Sequence, residues 1–486
     1  MVTIKYNVAG QQMWVRSYNG SGNGNDQAVQ VVLDAAGNVY VTGYSISLNN
    51  LQDITTIKYD NSGVQQWAST YDGPDHNADE GVALGVDATG NVYVTGYQTD
   101  STLYEDIVTL QYNSAGVQQW VQIYDGPAHF DDQPYDLKVD ANSNVYVTGA
   151  QDTIYNSAAN ADMILLKYNS AGTQQWKRIY ASPTYAFDYS RRIAIDRNNN
   201  IIMAGYSYVN GNGDDIFVLK FTAAGNFKWL RTYNYAPMTF ESPWGIATDS
   251  LNNVIVTGQG ITASNNATND YVTVKWDSSG TQLWAARYNN VSHGEDRASS
   301  VAIDDSMNIY VTGYSAGSGP AATAQDIATV KYGPAGNQIY VLRFDGVAHL
   351  GDYGNAIALN NGDIYVTGSS NNGANDDYAT LRYSYSAVGI AENSNPTNPL
   401  SIFPNPSNGN VNIILPSNIS PAKNNIHAEI INSVGQTIKI TAPLSPESMD
   451  SKSIVKVNTL ELPSGIYFVR VFSGSEQIGT SKFIIE

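Results

Sequence analysis

The 486-residue chain contains no cysteine, so disulfide bonds and thiolate metal sites are excluded. Charged residues make up only 14% of the chain, and 44 Asp and Glu outnumber 25 Lys and Arg, which leaves a formal net charge of −19. Because nucleic acid binding depends on Lys and Arg that neutralise phosphates, we expect no nucleic acid partner. No apolar run is long enough for a membrane-spanning helix, so we expect no membrane span.

The usual catalytic signatures are missing as well. There is no Gly-x-Ser-x-Gly elbow, no His-Glu-x-x-His helix and no phosphate-binding loop. Adjacent acids such as Asp131 and Asp132 would point to opposite faces of a strand, so they do not imply an acid–base pair. We therefore predict a protein that is not an enzyme, with no catalytic residues, no cofactor and no metal.

The chain is rich in glycine and tyrosine, with 42 and 34 residues, and it carries one six-residue motif seven times. The motif reads NVYVTG at 38, 91 and 144, NIIMAG at 200, NVIVTG at 253, NIYVTG at 308 and DIYVTG at 363. Its closing glycines are spaced by 53 to 56 residues: Gly43, Gly96, Gly149, Gly205, Gly258, Gly313 and Gly368. A fixed period of this size is typical of repeat architectures.

Each repeat contains four short strand patterns, which in one copy cover Val82–Val86, Asn91–Gly96, Asp106–Tyr112 and Gln119–Tyr124. Short glycine-containing turns join the first pattern to the second and the third to the fourth. The other two connections are longer and variable, and they belong on the opposite face. We predict an all-β fold with a seven-bladed β-propeller in residues 1–385.

The strand types found at the two ends of the repeat array predict how the ring closes. The chain begins in a third strand pattern, and the repeats end in another one, Asp377 to Tyr383, so the last repeat lacks a fourth strand. A fourth pattern around Trp14 to Tyr18 has no blade of its own. We expect these two strands to pair, because pairing would remove the exposed edges of an open array.

The recurring sequences Asp-x-x-Gly-Asn-Val-Tyr-Val-Thr-Gly-Tyr, Asp-Ile-x-Thr-x-Lys-Tyr and Ser-Gly-x-Gln-Gln-Trp resemble the bacterial seven-bladed β-propeller (SBBP) repeat family. The resemblance covers residues 1–385 and implies the propeller fold but no activity, because the family is a scaffold family. Met1 falls inside a repeat, since MVTIKYN aligns with ITTIKYD at 54–60. We expect Met1 to be internal to a longer reading frame, with a signal peptide upstream.

A polar, proline-punctuated linker, residues 386–400, leads to residues 401–486, whose strand patterns predict a small immunoglobulin-like β-sandwich. This tail resembles the type A C-terminal sorting domain of the type IX secretion system. The residues that carry the resemblance are Phe403, Pro404, Asn405, Pro406, Gly435, Pro463, Gly465, Tyr467 and Lys482. The resemblance implies the secretion machinery as a partner, and secretion to the medium or the outer cell surface.

Four of the five histidines lie three residues before an acid, at one position of the repeat. The pairs are His76 and Asp79, His129 and Asp132, His293 and Asp296, and His349 and Asp352. They fall in the loop that joins the fourth strand of one blade to the first strand of the next, near the channel mouth. These candidate ligand-face residues either form a partial ring for a metal or polar ligand, or satisfy the backbone of their own loops, which is simpler because three blades lack the histidine.

Residues that recur in nearly every blade are expected to be structural. They are the aspartates that begin third strands, such as Asp106, the aspartates that precede the tight turns, such as Asp87, and the tryptophans of the fourth strands, such as Trp120. We predict a monomeric, exported propeller that binds a glycan or protein partner through its variable loops. The alternative is a secreted polysaccharide hydrolase or lyase, which would bring His, Asp, Tyr or Arg side chains from several blades together.

Overall fold

A computed structural model describes residues 1–155, 158–182, 187–209, 213–236, 239–261, 268–290, 294–317, 324–384, 400–405, 407, 410–414, 426–432, 437–440, 454–460, 462, 465–473 and 476–485. All regular structure in these ranges is β-strand. The chain divides into two compact units, Met1–Ser384 and Tyr385–Glu486.

The first unit is a seven-bladed β-propeller preceded by one hairpin. The hairpin consists of β1 (Val2–Tyr6) and β2 (Gln12–Ser17). Blade one contains β3 (Gln27–Leu33), β4 (Val39–Ile46), β5 (Gln52–Tyr59) and β6 (Gln65–Tyr71). Blade two contains β7 (Asp79–Val86), β8 (Val92–Thr99), β9 (Glu105–Tyr112) and β10 (Gln118–Tyr124). Blade three contains β11 (Asp132–Val139), β12 (Val145–Tyr155), β13 (Ala158–Tyr168) and β14 (Gln174–Tyr180).

The remaining blades follow the same order. Blade four contains β15 (Asp188–Ile195), β16 (Ile201–Val209), β17 (Gly213–Phe221) and β18 (Phe227–Tyr233), and blade five contains β19 (Glu241–Thr248), β20 (Val254–Ile261), β21 (Asn269–Trp276) and β22 (Gln282–Tyr288). Blade six contains β23 (Asp296–Ile303), β24 (Ile309–Ala316), β25 (Gln325–Tyr332) and β26 (Gln338–Phe344). Blade seven contains β27 (Asp352–Asn360), β28 (Asp363–Asn371) and β29 (Asp376–Tyr383). Six blades are four-stranded antiparallel sheets in chain order, and the seventh has three strands.

The tight turns form for the reasons that the sequence predicts. In the turn between β7 and β8, Asp87 Oδ1 accepts the backbone N–H groups of Thr89 and Asn91, at 2.9 and 3.0 Å. Gly90 has φ +82°, the left-handed region that favours glycine. The second strand that follows is almost fully buried, with Tyr93 at 0% exposure.

Consecutive blades pack through their first strands, which makes these the innermost strands of the propeller. β3 contacts β7, β7 contacts β11, and the series continues through β15, β19 and β23 to β27. At the outer edge, each tryptophan of a fourth strand lies on the next blade, as in Trp67, whose Nε1 donates to the carbonyl of Ser114 at 3.1 Å. The predicted role of the tryptophans in blade packing is confirmed.

The predicted ring closure is wrong. β2 pairs with β1, and β29 pairs only with β28 among the described strands. Sheet faces that are buried between neighbouring blades inside the array are consequently exposed to solvent in the first and last blades. Val31 of β3 is 58% exposed where the equivalent Leu84 is 2% exposed, and Tyr378 of β29 is 72% exposed where Ile107 is 0% exposed.

The hairpin nevertheless occupies a position next to the last blade. The guanidinium of Arg382 in β29 donates to the carbonyl of Val8 in the β1–β2 turn. This contact is equivalent to the one between Lys58 and the carbonyl of Ser114, which links blade one to blade two. The sequence-based prediction failed because two third-type strands, β1 and β29, were available to β2, and β2 pairs with the one that is adjacent in sequence.

The second unit contains two antiparallel sheets, as expected for a small sandwich. One is built from β30 (Ser401–Phe403), β31 (Asn410–Ile414) and β34 (Ile454–Asn458). The other is built in the order β33 (Thr437–Ile440), β32 (Ile426–Asn432), β35 (Gly465–Ser473) and β36 (Glu476–Ile485). Both sheets contribute buried apolar residues to one core. β30 was not predicted from the sequence.

Candidate functional site

The loop histidines contact a different acid from the one that the sequence suggested. His76, His129 and His349 place Nδ1 at 2.8, 2.6 and 2.7 Å from carboxylates four residues earlier, on Asp72, Asp125 and Asp345 respectively. These hydrogen bonds raise the pKa of each imidazole. All three rings are mostly exposed. His293 lies outside the described residues.

The paired acids Asp79, Asp132, Asp296 and Asp352 are not loop residues but the first residues of β7, β11, β23 and β27. Each is buried and accepts the backbone N–H of the residue six positions earlier, as in Gly346, which donates to Asp352 at 2.6 Å. This bond orders the loop, which supports the structural interpretation. Burial, opposed by such bonds, raises the pKa of Asp79 and of Asp132 to about 7.

Among the described residues, two blade junctions each bring three carboxylates together. Oxygens of Asp106, Asp125 and Asp132 lie within 4.8 Å of one another, and the same holds for Asp326, Asp345 and Asp352. Carboxylate oxygens are the ligands that hard cations such as Ca²⁺ prefer, so these triads are where the propeller could hold a metal. In the second triad Arg343 already pairs with Asp326 at 2.7 Å and neutralises part of the charge.

A different group of side chains gathers at the loop-side ends of the inner strands, where four consecutive blades meet. We call it the channel-mouth cluster, and it consists of Tyr135, Tyr189, Arg191, Tyr206, Trp244 and Arg297. All six are partly exposed. Only Tyr206 lies on a second strand, and it pairs directly with Tyr189 across the sheet.

Aromatic rings and guanidinium groups alternate in this cluster. The guanidinium carbon of Arg191 lies 4.8, 5.4 and 5.1 Å from the ring centroids of Tyr135, Tyr206 and Trp244. That of Arg297 lies 3.7 Å from the Trp244 centroid. Such cation–π contacts hold the cations in place without neutralising them. Arg191 also donates to the hydroxyl of Tyr206 at 3.2 Å.

Burial favours the protonated form of two tyrosines of the cluster, Tyr135 and Tyr189. Burial raises the pKa of Tyr135 to about 12, although Arg191 acts in the opposite direction. Burial also raises the pKa of Tyr189. Their hydroxyl groups therefore act as hydrogen-bond donors and acceptors, and they do not supply a phenolate base near pH 7.

Sequence reasoning missed this cluster because it searched for residues that recur. The position that holds Val82 in blade two holds Tyr135, Arg191 and Trp244 in blades three, four and five. The available signal was a departure from the repeat. One inner-strand position changes from an aliphatic residue to aromatic and cationic residues in consecutive copies.

The tail places the described residues of its motif around the last strand. Asn405 donates to the carbonyl of Lys482 at 3.2 Å and accepts the backbone N–H of Ile484 at 2.9 Å. Phe403 ends β30 and Gly465 begins β35, and Phe403 and Pro404 are joined by a cis peptide bond. Tyr467 packs on Phe483 with 5.8 Å between ring centroids. Pro406, Gly435 and Pro463 lie outside the described residues.

Residues 401–486 match the family model of the secretion system C-terminal sorting domain. The tail is a secretion sorting domain. The protein is therefore an exported one, found at the outer surface or outside the cell, with the secretion machinery as a partner of this sorting domain. In the ranges that the structure describes, no helix has the length and apolar character needed to cross a membrane.

Similarity outside the sorting domain is remote. A protein of Acanthamoeba polyphaga mimivirus, described as an uncharacterized WD repeat-containing protein, is 24% identical, with 64% of this chain and 31% of that protein covered. This chain thus spans about a third of its relative's length.

Among solved structures, the polysaccharide lyase Uly1 matches with a TM-score of 0.49 at 11% identity, over 78% of this chain and 93% of that chain. The α-L-arabinanase of Penicillium chrysogenum matches with a TM-score of 0.40 at 9% identity, over 62% and 92%. At these scores neither likeness bears on the activity of this chain.

Proposed function

We propose that this protein is exported by the type IX secretion system and that its propeller, built from SBBP-type repeats, binds a glycan without turning it over. The observation that carries the proposal is the channel-mouth cluster, in which aromatic and cationic side chains from four consecutive blades converge. Aromatic rings that are partly exposed beside polar groups suit a ligand with one apolar face and many hydroxyl groups. A sugar ring has this character.

Further aromatic rings extend the surface beyond the cluster. Phe187 is 47% exposed and lies parallel to Tyr189, with an interplanar angle of 7° and 6.3 Å between centroids. On the neighbouring junction, Tyr104 is 37% exposed and meets Phe130 edge to face at 5.0 Å. Flat, rigid rings of this kind provide contact area at a low cost in conformational entropy. They favour an extended chain of several sugar units as the ligand.

The alternative, a polysaccharide hydrolase or lyase at the channel mouth, is favoured by the same convergence of Tyr and Arg side chains. Proton abstraction needs a group whose pKa lies near the working pH, and the pKa of Tyr135 is shifted away from that range. The exposed pair of His129 and Asp125 is the kind of dyad that a general base uses. Its repetition in three separate loops indicates a structural role, so we favour binding over catalysis.

A glycan array probed with the full chain tests the proposal, together with an assay for released reducing ends and unsaturated products. The Phe187→Ala variant should lose about 1 kcal/mol or more of binding free energy, because it removes an exposed stacking face. Phe227→Ala is the matched control, since Phe227 is 59% exposed but follows a tight turn on the opposite face. If the wild-type chain cleaves a polysaccharide and a variant lacking His129 and His349 does not, the protein is an enzyme and the proposal of binding without turnover is wrong.

A further inference from the structure

Positive charge is concentrated at the channel mouth of a strongly acidic protein. Arg191 and Arg192 are neighbours on β15, and Arg297 lies two blades further on β23. Burial lowers the pKa of Arg192, and the nearby charges of Arg191 and Arg297 lower it further, against the opposing effect of Asp136. All three side chains contact Trp244, Arg191 and Arg297 over its ring and Arg192 through its carbonyl, so three guanidinium groups lie close together in a chain whose net charge is −19.

These arginines have no carboxylate partner among the described residues. Elsewhere in the propeller a partly buried arginine pairs with an acid, as in Arg343 with Asp326 at 2.7 Å. No carboxylate oxygen of any described residue lies within 4.0 Å of Arg191, Arg192 or Arg297. Grouped, partly desolvated cations without a directly paired carboxylate are unfavourable in isolation, so the site is suited to an anionic ligand.

Two acids close to the cluster are already engaged. Asp136 pairs with Lys138 at 2.9 Å and also accepts the backbone N–H of Ile193 at 3.1 Å. Glu295 accepts the hydroxyl of Tyr314 at 3.0 Å.

Hydrogen-bond donors also exceed acceptors within the cluster. Trp244 Nε1 and the Nε atoms of Arg191 and Arg297 are buried and have no hydrogen-bond partner in the part of the chain that the structure describes. Arg192 directs its Nε to the carbonyl of Trp244 at 2.8 Å, which uses one of the few acceptors present. A ligand rich in oxygen acceptors would complement this surplus of donors.

We propose that the channel-mouth cluster recognises an acidic saccharide, whose uronate carboxylate or sulfate ester is bound by Arg191 and Arg297. The inference rests on the proposed glycan-binding function and specifies its ligand class. A saccharide is favoured over an acidic peptide because the parallel rings of Phe187 and Tyr189 adjoin the guanidinium groups, so one unit can stack while its anionic substituent meets the arginines.

The experiment compares polymers that differ only in charge, using the full chain. Dextran sulfate is paired with dextran, and polygalacturonate with its methyl ester, and affinities are measured by calorimetry at two salt concentrations. We expect each anionic polymer to bind at least about 10-fold more tightly than its neutral counterpart, with an affinity that falls as salt rises. A preference for one anionic polymer over the other identifies sulfate or carboxylate as the recognised group.

Arg191→Gln and Arg297→Gln should each weaken anionic polymer binding by about 10- to 100-fold. Arg297→Lys should give an intermediate loss, because it keeps the charge but not the planar fork. Arg197→Gln is the matched control: it removes the same charge from an exposed residue of the same blade, in the turn before β16 on the opposite face. A melting curve for each variant separates loss of binding from loss of folding.

Equal affinity for the neutral and anionic members of both pairs would overturn this inference while leaving glycan binding intact. Failure to bind any polymer, charged or neutral, would instead overturn the proposed function itself. If polyglutamate binds as tightly as the anionic polysaccharides and depends on the same two arginines, the ligand is an acidic protein segment and the saccharide assignment is wrong.

Discussion

Replacing Lys220 by Met should destabilise the propeller far more than the same change at Lys167. The buried or partly buried aspartate before the tight turn that joins the first and second strands of a blade is paired with a side chain of the sheet. In blades one, two, three and six that partner is a tyrosine hydroxyl, as in Tyr146, which donates to Asp140 at 3.1 Å. In blades four and five the tyrosine position holds isoleucine, and a lysine from the third strand takes over, as in Lys220, which meets Asp196 at 2.8 Å.

The expected magnitude follows from burial. The side chains of Lys220 and Asp196 are 1% and 0% exposed, so Lys220→Met leaves a buried carboxylate without its cation. Breaking a buried pair costs about 3–5 kcal/mol, and the lower end applies because Asp196 keeps its bonds from the backbone N–H groups of Asn198 and Asn200. Lys167→Met removes a bond to the carbonyl of Ala223, worth about 1 kcal/mol, and a cation–π contact with Tyr146, just as Lys220→Met removes a cation–π contact with Trp229.

Thermal melting of the full chain can resolve this difference. Unfolding entropy of about 2.1 cal/mol/K per residue over the 384 residues of the propeller unit means that 1 kcal/mol shifts its Tm by about 1.2 °C. We therefore expect Lys220→Met to lower the Tm by about 4 °C and Lys167→Met by about 1 °C.

A compensating variant supplies an internal check. Ile202 lies directly across the sheet from Lys220, as Tyr93 does from Gln111 in blade two. Combining Ile202→Tyr with Lys220→Gln reproduces the arrangement of blade two, so it should recover most of the stability that Lys220→Gln alone loses.

The pH dependence gives a second check. Burial raises the pKa of Asp196, but the bonds from Lys220 and Asn200 outweigh it and lower the pKa. The stability from this carboxylate is therefore present above its unfolded pKa of about 4, and it is lost as pH falls. Equal losses for Lys220→Met and Lys167→Met at pH 7, or no recovery in the double variant, would refute the compensation between tyrosine and lysine.

Three further predictions follow from single contacts. Gly172→Ala should lower the Tm more than Gly10→Ala does. A Cβ at Gly172, where φ is +79°, would lie 2.6 Å from the tryptophan of the preceding blade. A Cβ at Gly10, where φ is +76°, would have nothing within 4 Å, so Gly10→Ala should cost only the backbone strain of about 1–3 kcal/mol. Because burial raises the pKa of Asp132 to about 7, its stabilising contribution is present below pH 4 and lost as pH rises through 7, so Asp132→Asn should flatten the stability profile between pH 5 and 7.5. Arg382→Gln should speed amide hydrogen exchange in the β1–β2 hairpin, because it removes the donor to Val8, and unchanged exchange would show that this contact does not hold the hairpin.

The fold was predictable because it depends on local patterns that recur. Alternating apolar residues set the strands, and Asp87 with Gly90 sets a turn whose hydrogen bonds lie within five residues. The exceptions are pairings that depend on distant choices. Strand β2 could pair with β1 or with β29, and only the assembled sheets show that the neighbour in sequence wins. Similarly, His129 could reach Asp125 or Asp132, and the left-handed turn at φ +52° directs it to Asp125.

The seven repeats, the strand order within a blade and the sorting tail follow from the sequence alone, because each is encoded by residues within a few positions of one another. The channel-mouth cluster is a property of the tertiary structure. Tyr135, Arg191, Trp244 and Arg297 are separated by about fifty residues each, and no local pattern links them. They meet because packing of the inner strands β11, β15, β19 and β23 brings the beginnings of these strands side by side. Tyr135, Arg191 and Trp244 share one register position, and Arg297 lies two residues before the equivalent position of β23. Residues that look like irregularities in a repeat thereby become a continuous surface, on which the ligand of this protein is expected to bind.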